Sequence, residues 1–454
     1  MKLAEFKEKY IGDWAFYKRY LYLALPMIVQ NAITNLVSFL DNIMVGQLGT
    51  EQMSGVAIVN QLIFVYNLAI FGAVSAASIF GAQYYGKGNH KGHMYSFRFK
   101  LYAALLVTGL TILLFLTCGD NLISLYLTDT AGDGATDVAL GYGLQYLGIM
   151  VVGLVPFAVN QAYATNIKET GQTMVPMAAS FVAVGSNALL DYLLIFGIGP
   201  FPRLGIEGAA LATGIGQVTP VVIYWIIYKI RPISVKIRPE YLKEGKNLVG
   251  RLYAIGVPAI LNLALPSLLI SALNGILAVY SQSYVVVLGI YYKLQTFIYL
   301  TANGIVQGMR PIIGFNYGAG EHKRVRKIYE ITLIMCAVIM LIGTGICLAI
   351  PEQLIGLFSS NPETIRLGGQ ALTRISAGFL ISAVSITSSG ALEGLGKGGS
   401  SLIISLCRNV IVILPAAYLL SHLGGGVFVW HAFWITEVIS AAVSLVVYRR
   451  AVRR

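Results

Sequence analysis

Apolar runs of membrane-crossing length, broken by short polar segments, set the pattern of this chain. They fall near residues 20–44, 53–82, 98–118, 140–165, 173–198 and 206–229. After a polar stretch they resume near 252–280, 284–313, 328–350, 368–392, 400–421 and 427–448. Each is close to the roughly 20 residues that carry an α-helix across a bilayer. In hydrocarbon the backbone must satisfy its own hydrogen bonds, and a lone apolar run does so only as a helix. The pattern predicts an all-α polytopic membrane protein with about twelve transmembrane helices. Residues 20–229 make a first six-helix lobe and 252–448 a second. Around them lie an interfacial N-terminus (1–19), a basic linker (230–251) and a basic tail (449–454).

Composition supports this reading. Hydrophobic residues make up 56% of the 454 and charged residues 11%, against about 25% charged in soluble domains. So little charge cannot cover a water-soluble particle of this size. The first residues mix Lys, Glu, Asp and aromatics and lack the apolar core and cleavage site of a signal peptide, so the first span is expected to be a retained anchor. Four cysteines and five histidines show no ligand spacing, and neither a disulfide framework nor a metal site is expected.

The net charge of +12 gains its meaning from where it sits. With the N-terminus inside, 26 of the 32 Lys and Arg residues fall in cytoplasmic segments, Lys100 among them, and only Arg203, Arg366 and Arg374 fall outside. That asymmetry predicts both termini in the cytoplasm. The basic segments are then topology signals rather than a nucleic-acid surface.

The two halves repeat. At an offset of 232 residues, Tyr85-Gly86-Lys-Gly88-Asn-His90-Lys91 matches Tyr317-Gly318-Ala-Gly320-Glu-His322-Lys323, Pro26 matches Pro258, Gln30 matches Asn262 and Asn42 matches Asn274. A weaker match near an offset of 225 places Gly171 on Gly396. Six spans per repeat is an even number, so both lobes enter the membrane in one orientation. They are expected to be related by a pseudo-twofold along the membrane normal, an arrangement known in transporters.

Specific residues now carry a resemblance. Pro26, Asp41-Asn42 and Val45-Gly46 lie in span 1, and Gly81-Ala-Gln-Tyr-Tyr-Gly86 leaves span 2. Asn187 with Asp191-Tyr-Leu-Leu-Ile-Phe-Gly197 lies in span 5. Gln307-Gly308 with Pro311-Ile-Ile-Gly314-Phe-Asn316-Tyr317-Gly318 ends span 8, and Glu393-Gly-Leu-Gly396-Lys397 leads into span 11. Jointly the chain resembles the MATE (multidrug and toxin extrusion) family over nearly its whole length. The resemblance implies two six-helix lobes, a V-shaped central cavity, and multidrug efflux by antiport against H⁺ or Na⁺. It is nearest to bacterial members with N-lobe acidic coupling residues, which implies a multi-pass protein of the bacterial cytoplasmic (inner) membrane. Amphipathic organic cations are the implied cargo. No cofactor beyond the coupling ion and no nucleic-acid partner is expected, and a monomer is. Other branches use acids in spans 7 and 10. Here span 7 offers Asn262 and Asn274, and Glu393 sits at the inner end of span 10, which counts against a C-lobe Na⁺ site.

A charge in the membrane costs roughly 2.5–3.5 kcal/mol on insertion scales, so each one is a functional candidate. Asp41 in span 1 and Asp191 in span 5 fall at similar depth, with Asn35 below Asp41 and Asn187 one turn before Asp191. Their counterparts in the second half are Leu273 and Ala416, so the acid pair belongs to one lobe. A desolvated carboxylate binds a proton more readily, and these four side chains also offer oxygen ligands to Na⁺. Lys293, set roughly mid-membrane with Gln61 as its counterpart, stands as a cavity-facing substrate or coupling group or as half of a structural ion pair. Glu437 stands as a second cation site, a partner for Lys293, or a packing group. Arg408 is expected to snorkel to the inner interface, and Arg310 to be a topology or gate charge. Gln30, Gln161, Tyr163 and Gln295 are further cavity candidates.

No Walker loop, HExxH or paired cysteine set supports an enzyme. The serious alternative is a flippase for lipid-linked oligosaccharides of related fold, which would call for a more cationic cavity. A channel is the third.

Overall fold

The structure, a computed structural model, describes residues 14–125, 135–230 and 246–452. It is built from α1 (Trp14–Gly46), α2 (Thr50–Gly86), α3 (His90–Ser124), α4 (Ala135–Glu169), α5 (Met174–Phe196), α6 (Ile206–Ile230), α7 (Lys246–Ala278), α8 (Gln282–Gly318) and α9 (His322–Ala349). These are followed by α10 (Pro351–Gly356), α11 (Pro362–Ser376), α12 (Phe379–Gly394), α13 (Gly398–Leu406), a π-helical turn (Cys407–Ile411), α14 (Ile413–Gly424), α15 (Gly426–Val429) and α16 (His431–Val452). Among the described residues no strand occurs.

Ten of these helical stretches are long and apolar enough to cross a membrane, or eleven if α11 and α12, bent by 55° against each other, count as one span. α1, at 33 residues, is also long enough to cross. The sequence placed spans 10 and 11 as single runs. The structure breaks the first between Ser376 and Phe379 and threads the second through the π turn at Cys407–Ile411. Hydropathy registers length and polarity and is blind to both irregularities.

The chain divides into two compact units. One, here the N-lobe, is residues 29–253. The other, the C-lobe, is residues 254–454 together with those up to Ile28. The sequence reading gave all of span 1 to the first lobe; this division groups its start with the second. The start of α1 belongs to the C-lobe because Ile28 packs on that lobe's core, and Gly304 of α8 has no side chain to hold it away. Pro26, one turn before the switch, removes a backbone donor within α1.

In the N-lobe, α2 packs on α3 and α4, and α6 packs on α4 and α5. Val56, Val59, Leu62, Tyr66, Ile70 and Val74 of α2 form the spine of its core. The Tyr66 hydroxyl is satisfied inside it, donating to the Leu154 carbonyl at 2.8 Å with Thr108 Oγ1 at 2.9 Å. In the C-lobe, α8, α9 and α12 pack on one another, and α16 closes on α12 and α14.

The sequence repeat reappears as repeated hydrogen bonding. After α2, Asn89 N–H donates to Tyr84 O and Gly88 N–H to Tyr85 O. After α8, Glu321 donates to Asn316 O and Gly320 to Tyr317 O, at the same offset of 232. Gly88 and Gly320 have φ of 70° and 79°, the left-handed region that glycine enters without strain. The weaker offset holds as well. Gly171 donates to Lys168 O and Gln172 to Ile167 O, as Gly396 does to Glu393 O and Lys397 to Leu392 O.

Candidate functional site

Asp191 lies on α5 with none of its surface exposed, and neither carboxylate oxygen has a hydrogen-bond partner. Asp41 on α1 is partly buried, and its Oδ1 is unpartnered too. The two acids are near enough to feel each other's charge, and the fully buried Tyr146 of α4 feels both. Asn187, one turn before Asp191, is within reach of its carboxylate, yet its amide nitrogen is not aligned to donate. Neither acid has a Lys, Arg or His within ion-pair distance among the described residues. The expected pairing of Asp41, Asp191 and Asn187 is thus present within the N-lobe. The Asn35 side chain lies outside the described residues. Tyr146 and its neighbour Thr213 on α6 were not singled out in the sequence, where a tyrosine and a threonine in apolar spans carry no signal.

Such an arrangement suits a small cation. Buried acceptor atoms without donors are costly, and a proton or a cation taken up there relieves both the unmet acceptors and the repulsion between two carboxylates. Among the described residues no group of three or more His, Cys, Asp or Glu side chains is clustered to hold a metal ion of the usual protein-ligated kind.

The other candidates separate. Gln30 is tied inside the N-lobe, donating to Ser180 Oγ at 2.7 Å. Gln61 on α2 is exposed and Gln161 on α4 is partly so. Tyr163 was a cavity candidate, but its ring packs edge-on between Phe97 and Tyr228, with centroids at 5.0 and 5.2 Å. Gln295 lies beside the Tyr299 hydroxyl in the C-lobe.

Glu437 on α16 is paired, with Arg408 and not with Lys293. Arg408 Nη2 and Nε donate to its Oε1 at 2.7 and 2.8 Å, and Ser385 Oγ lies 3.4 Å from its Oε2. Arg408 therefore does not snorkel to an interface. It sits in the π turn, where one extra residue per turn changes the direction of the side chain, a feature the sequence did not signal. Lys293 is exposed, its Nζ 5.9 Å from the Phe358 ring in the connection between α10 and α11. That places its ammonium beside the α10–α11 connection of the C-lobe.

Two further charge clusters escaped the sequence reading. Arg310 Nη2 binds Glu393 Oε2 at 2.8 Å, and Glu393 Oε1 accepts from Asn262 at 2.9 Å and Ser401 at 3.0 Å. Arg310 is thus held in an ion pair. In the N-lobe, Lys100 of α3 is bonded to Glu169 of α4, and both are fully buried. His93 Nδ1 donates to the Gly81 carbonyl at 2.9 Å and lies 3.7 Å from the same carboxylate. Lys100 had been counted as a loop charge. The fold instead draws it inward onto Glu169, and Gly81 of α2 leaves the room that Glu169 Oε2 fills.

Two helical units with a repeated chain path, most of their long helices apolar enough to cross a membrane and one unit holding two acids without a counter-cation, make this a polytopic membrane protein of repeated halves. The model of the MatE family matches residues 26–193 and again 258–419, once in each half. The chain belongs to that family. The multidrug export protein MepA of Staphylococcus haemolyticus is 23% identical over 445 residues, covering 96% of this chain and 94% of that protein. MepA of Staphylococcus aureus (strain NCTC 8325 / PS 47) is 24% identical over 443 residues, covering 95% and 93%. The bent form of the Vibrio cholerae MATE transporter VcmN superposes with a TM-score of 0.87 at 20% identity, covering 96% of this chain and 97% of that one.

Proposed function

We propose that this chain exports amphipathic organic cations across a bacterial cytoplasmic membrane in exchange for H⁺ or Na⁺, with both termini cytoplasmic. The observation that carries the reading is the Asp41–Asp191 pair, buried in the N-lobe without a counter-cation. Its repeat positions are Leu273, fully buried in the C-lobe core, and Ala416, packed against it. The fold is served there by apolar side chains, so the acids are kept for something other than packing. Occupation of the pair by a proton or Na⁺ would favour one conformation over another, which is the thermodynamic content of coupling. The naming of the MepA relatives as multidrug export proteins supports the cargo class. Of the cations a flippase reading would call on, Arg310 and Arg408 are held by glutamates, which leaves Lys293 alone exposed against the two acids of the N-lobe.

The test is ethidium efflux from proteoliposomes under separately imposed pH and Na⁺ gradients, comparing wild type with Asp41→Asn and Asp191→Asn. Wild-type efflux under one gradient, lost in both variants while each still purifies as a folded protein, is the expected result and names the ion. Undiminished exchange by both variants would remove the acids from coupling.

A further inference from the structure

The start of α9 and the end of α16 bring together a basic patch that the repeat does not require. Lys323, Arg324, Arg326 and Lys327 occupy the first two turns of α9, and Arg449 and Arg450 the last turn of α16. The 232-residue offset sets the four α9 cations against Lys91, Gly92, Met94 and Tyr95, a single cation in the N-lobe. Topology therefore accounts for one of the four. Helix energetics accounts for none, because the positive end of the helix dipole disfavours cations in a first turn. Glu321 at the cap supplies no side-chain hydrogen bond there either.

Packing joins the two groups. Both helices pack on α12, and Tyr329 of α9 stacks on Tyr448 of α16 with ring centroids 3.9 Å apart and planes at 20°. The Tyr329 hydroxyl is fixed on Ser388 of α12 at 2.9 Å. Across this stack Tyr329 is near enough to Arg449, and Tyr448 to Arg326, to feel their charge. The acids on these helix ends are too few to answer the cations. Glu330 meets Arg326 at 3.0 Å and Glu321 meets Arg324 at 3.9 Å, both on exposed arginines. Tyr448 is 6% exposed, and its hydroxyl has no hydrogen-bond partner. An unmet donor beside surplus positive charge points to an anion rich in acceptors. The patch also terminates an aliphatic surface. Ile334, Val338 and Leu341 are exposed further along α9, and Leu445 and Val446 just before the arginines of α16.

We infer that this patch binds the headgroup of an anionic phospholipid, with the phosphate oxygens among Arg326, Arg449 and Arg450 and the acyl chains along the aliphatic faces of α9 and α16. Hydrogen bonds from a guanidinium to phosphate are charge-assisted and stronger than those to a neutral acceptor, and the arginine fork meets phosphate oxygens in pairs. An exposed pair such as Arg326–Glu330 is weak enough for a phosphate to displace. Clustered Lys and Arg at the cytoplasmic end of membrane helices attract anionic headgroups. The inference takes from the exporter reading only the leaflet, the cytoplasmic one.

The experiment uses the full-length protein in a neutral detergent, with bound lipid counted by native mass spectrometry during titration with phosphatidylglycerol or with phosphatidylcholine of the same chains. Wild type should hold phosphatidylglycerol about tenfold more tightly. The triple variant Arg326→Gln, Arg449→Gln, Arg450→Gln should erase that preference, and Lys at the same three positions should keep it. The matched control, Lys87→Gln, Lys91→Gln, Lys229→Gln, removes three exposed cations from the N-lobe and should leave the preference intact. Because the three arginines are exposed, their substitution does not threaten the fold. Equal loss in the two Gln variants would reduce the effect to net charge and overturn the inference. So would no preference in wild type, an unchanged preference without the arginines, or its loss in the Lys variant. Glycerol phosphate, which has no acyl chains, should not displace the lipid at equal concentration. Displacement by it would make free phosphate the ligand, and displacement by polyglutamate would make the face a protein-docking surface. Either result would overturn the lipid assignment.

Discussion

The two lobes repeat one chain path and treat charge in opposite ways. The N-lobe leaves Asp41 and Asp191 without a cation, while the C-lobe closes Glu393 on Arg310 and Glu437 on Arg408. A carboxylate bonded to a guanidinium is already neutralised and gains little from an incoming ion. One with unmet acceptors in a low-dielectric setting gains much. On the proposed reading, ion exchange belongs to the N-lobe acids, and the two C-lobe glutamates are held in ion pairs. The N-lobe also has a fixed pair, Lys100–Glu169, so the contrast is one of position and not of lobe composition.

The strongest test of that contrast is to write the N-lobe acid into the C-lobe. Leu273→Asp places a carboxylate at the position equivalent to Asp41, fully buried in an apolar core. It should destabilise the protein by several kcal/mol, as a buried unpaired charge does, and appear as aggregation or a collapsed yield in detergent. A well-folded variant would mean that the position tolerates an acid in either lobe. Next comes Arg408→Met, which strands Glu437 and should cost about 3–5 kcal/mol in thermal unfolding. Adding Glu437→Leu should recover most of that loss and keep ion-driven efflux. If the double variant folds but exchanges nothing, the C-lobe pair belongs to the coupling machinery and the contrast fails. The smallest effect is expected from Arg326→Ala, which removes the exposed i,i+4 pair with Glu330. Such pairs contribute about 0.3–0.5 kcal/mol, and added salt should erase the difference in melting temperature.

How far the sequence reached can be followed through particular residues. Hydropathy and the 232-residue offset were enough for an all-helical, two-fold repeated membrane chain, and the structure turns that offset into matched turns at Gly88 and Gly320. Asp41 and Asp191 were legible because a carboxylate in an apolar run is costly and therefore conspicuous. Tyr146 was not, since an aromatic in a span is ordinary, and its meaning comes only from what faces it. Arg408 was misread because counting residues assumes an unbroken α-helix, and the π turn at Cys407–Ile411 breaks that assumption.

The sequence by itself determined the number and order of apolar spans, the repeat and the two unusual acids, because these depend on local composition and on spacing along one chain. Tertiary structure alone decided which charges are answered. Lys100 meets Glu169 across 69 positions, Arg310 meets Glu393, and Arg408 meets Glu437. Whether a buried charge is a spent ion pair or an open site depends on a partner brought in from a distant helix, and spacing along the chain does not record that meeting.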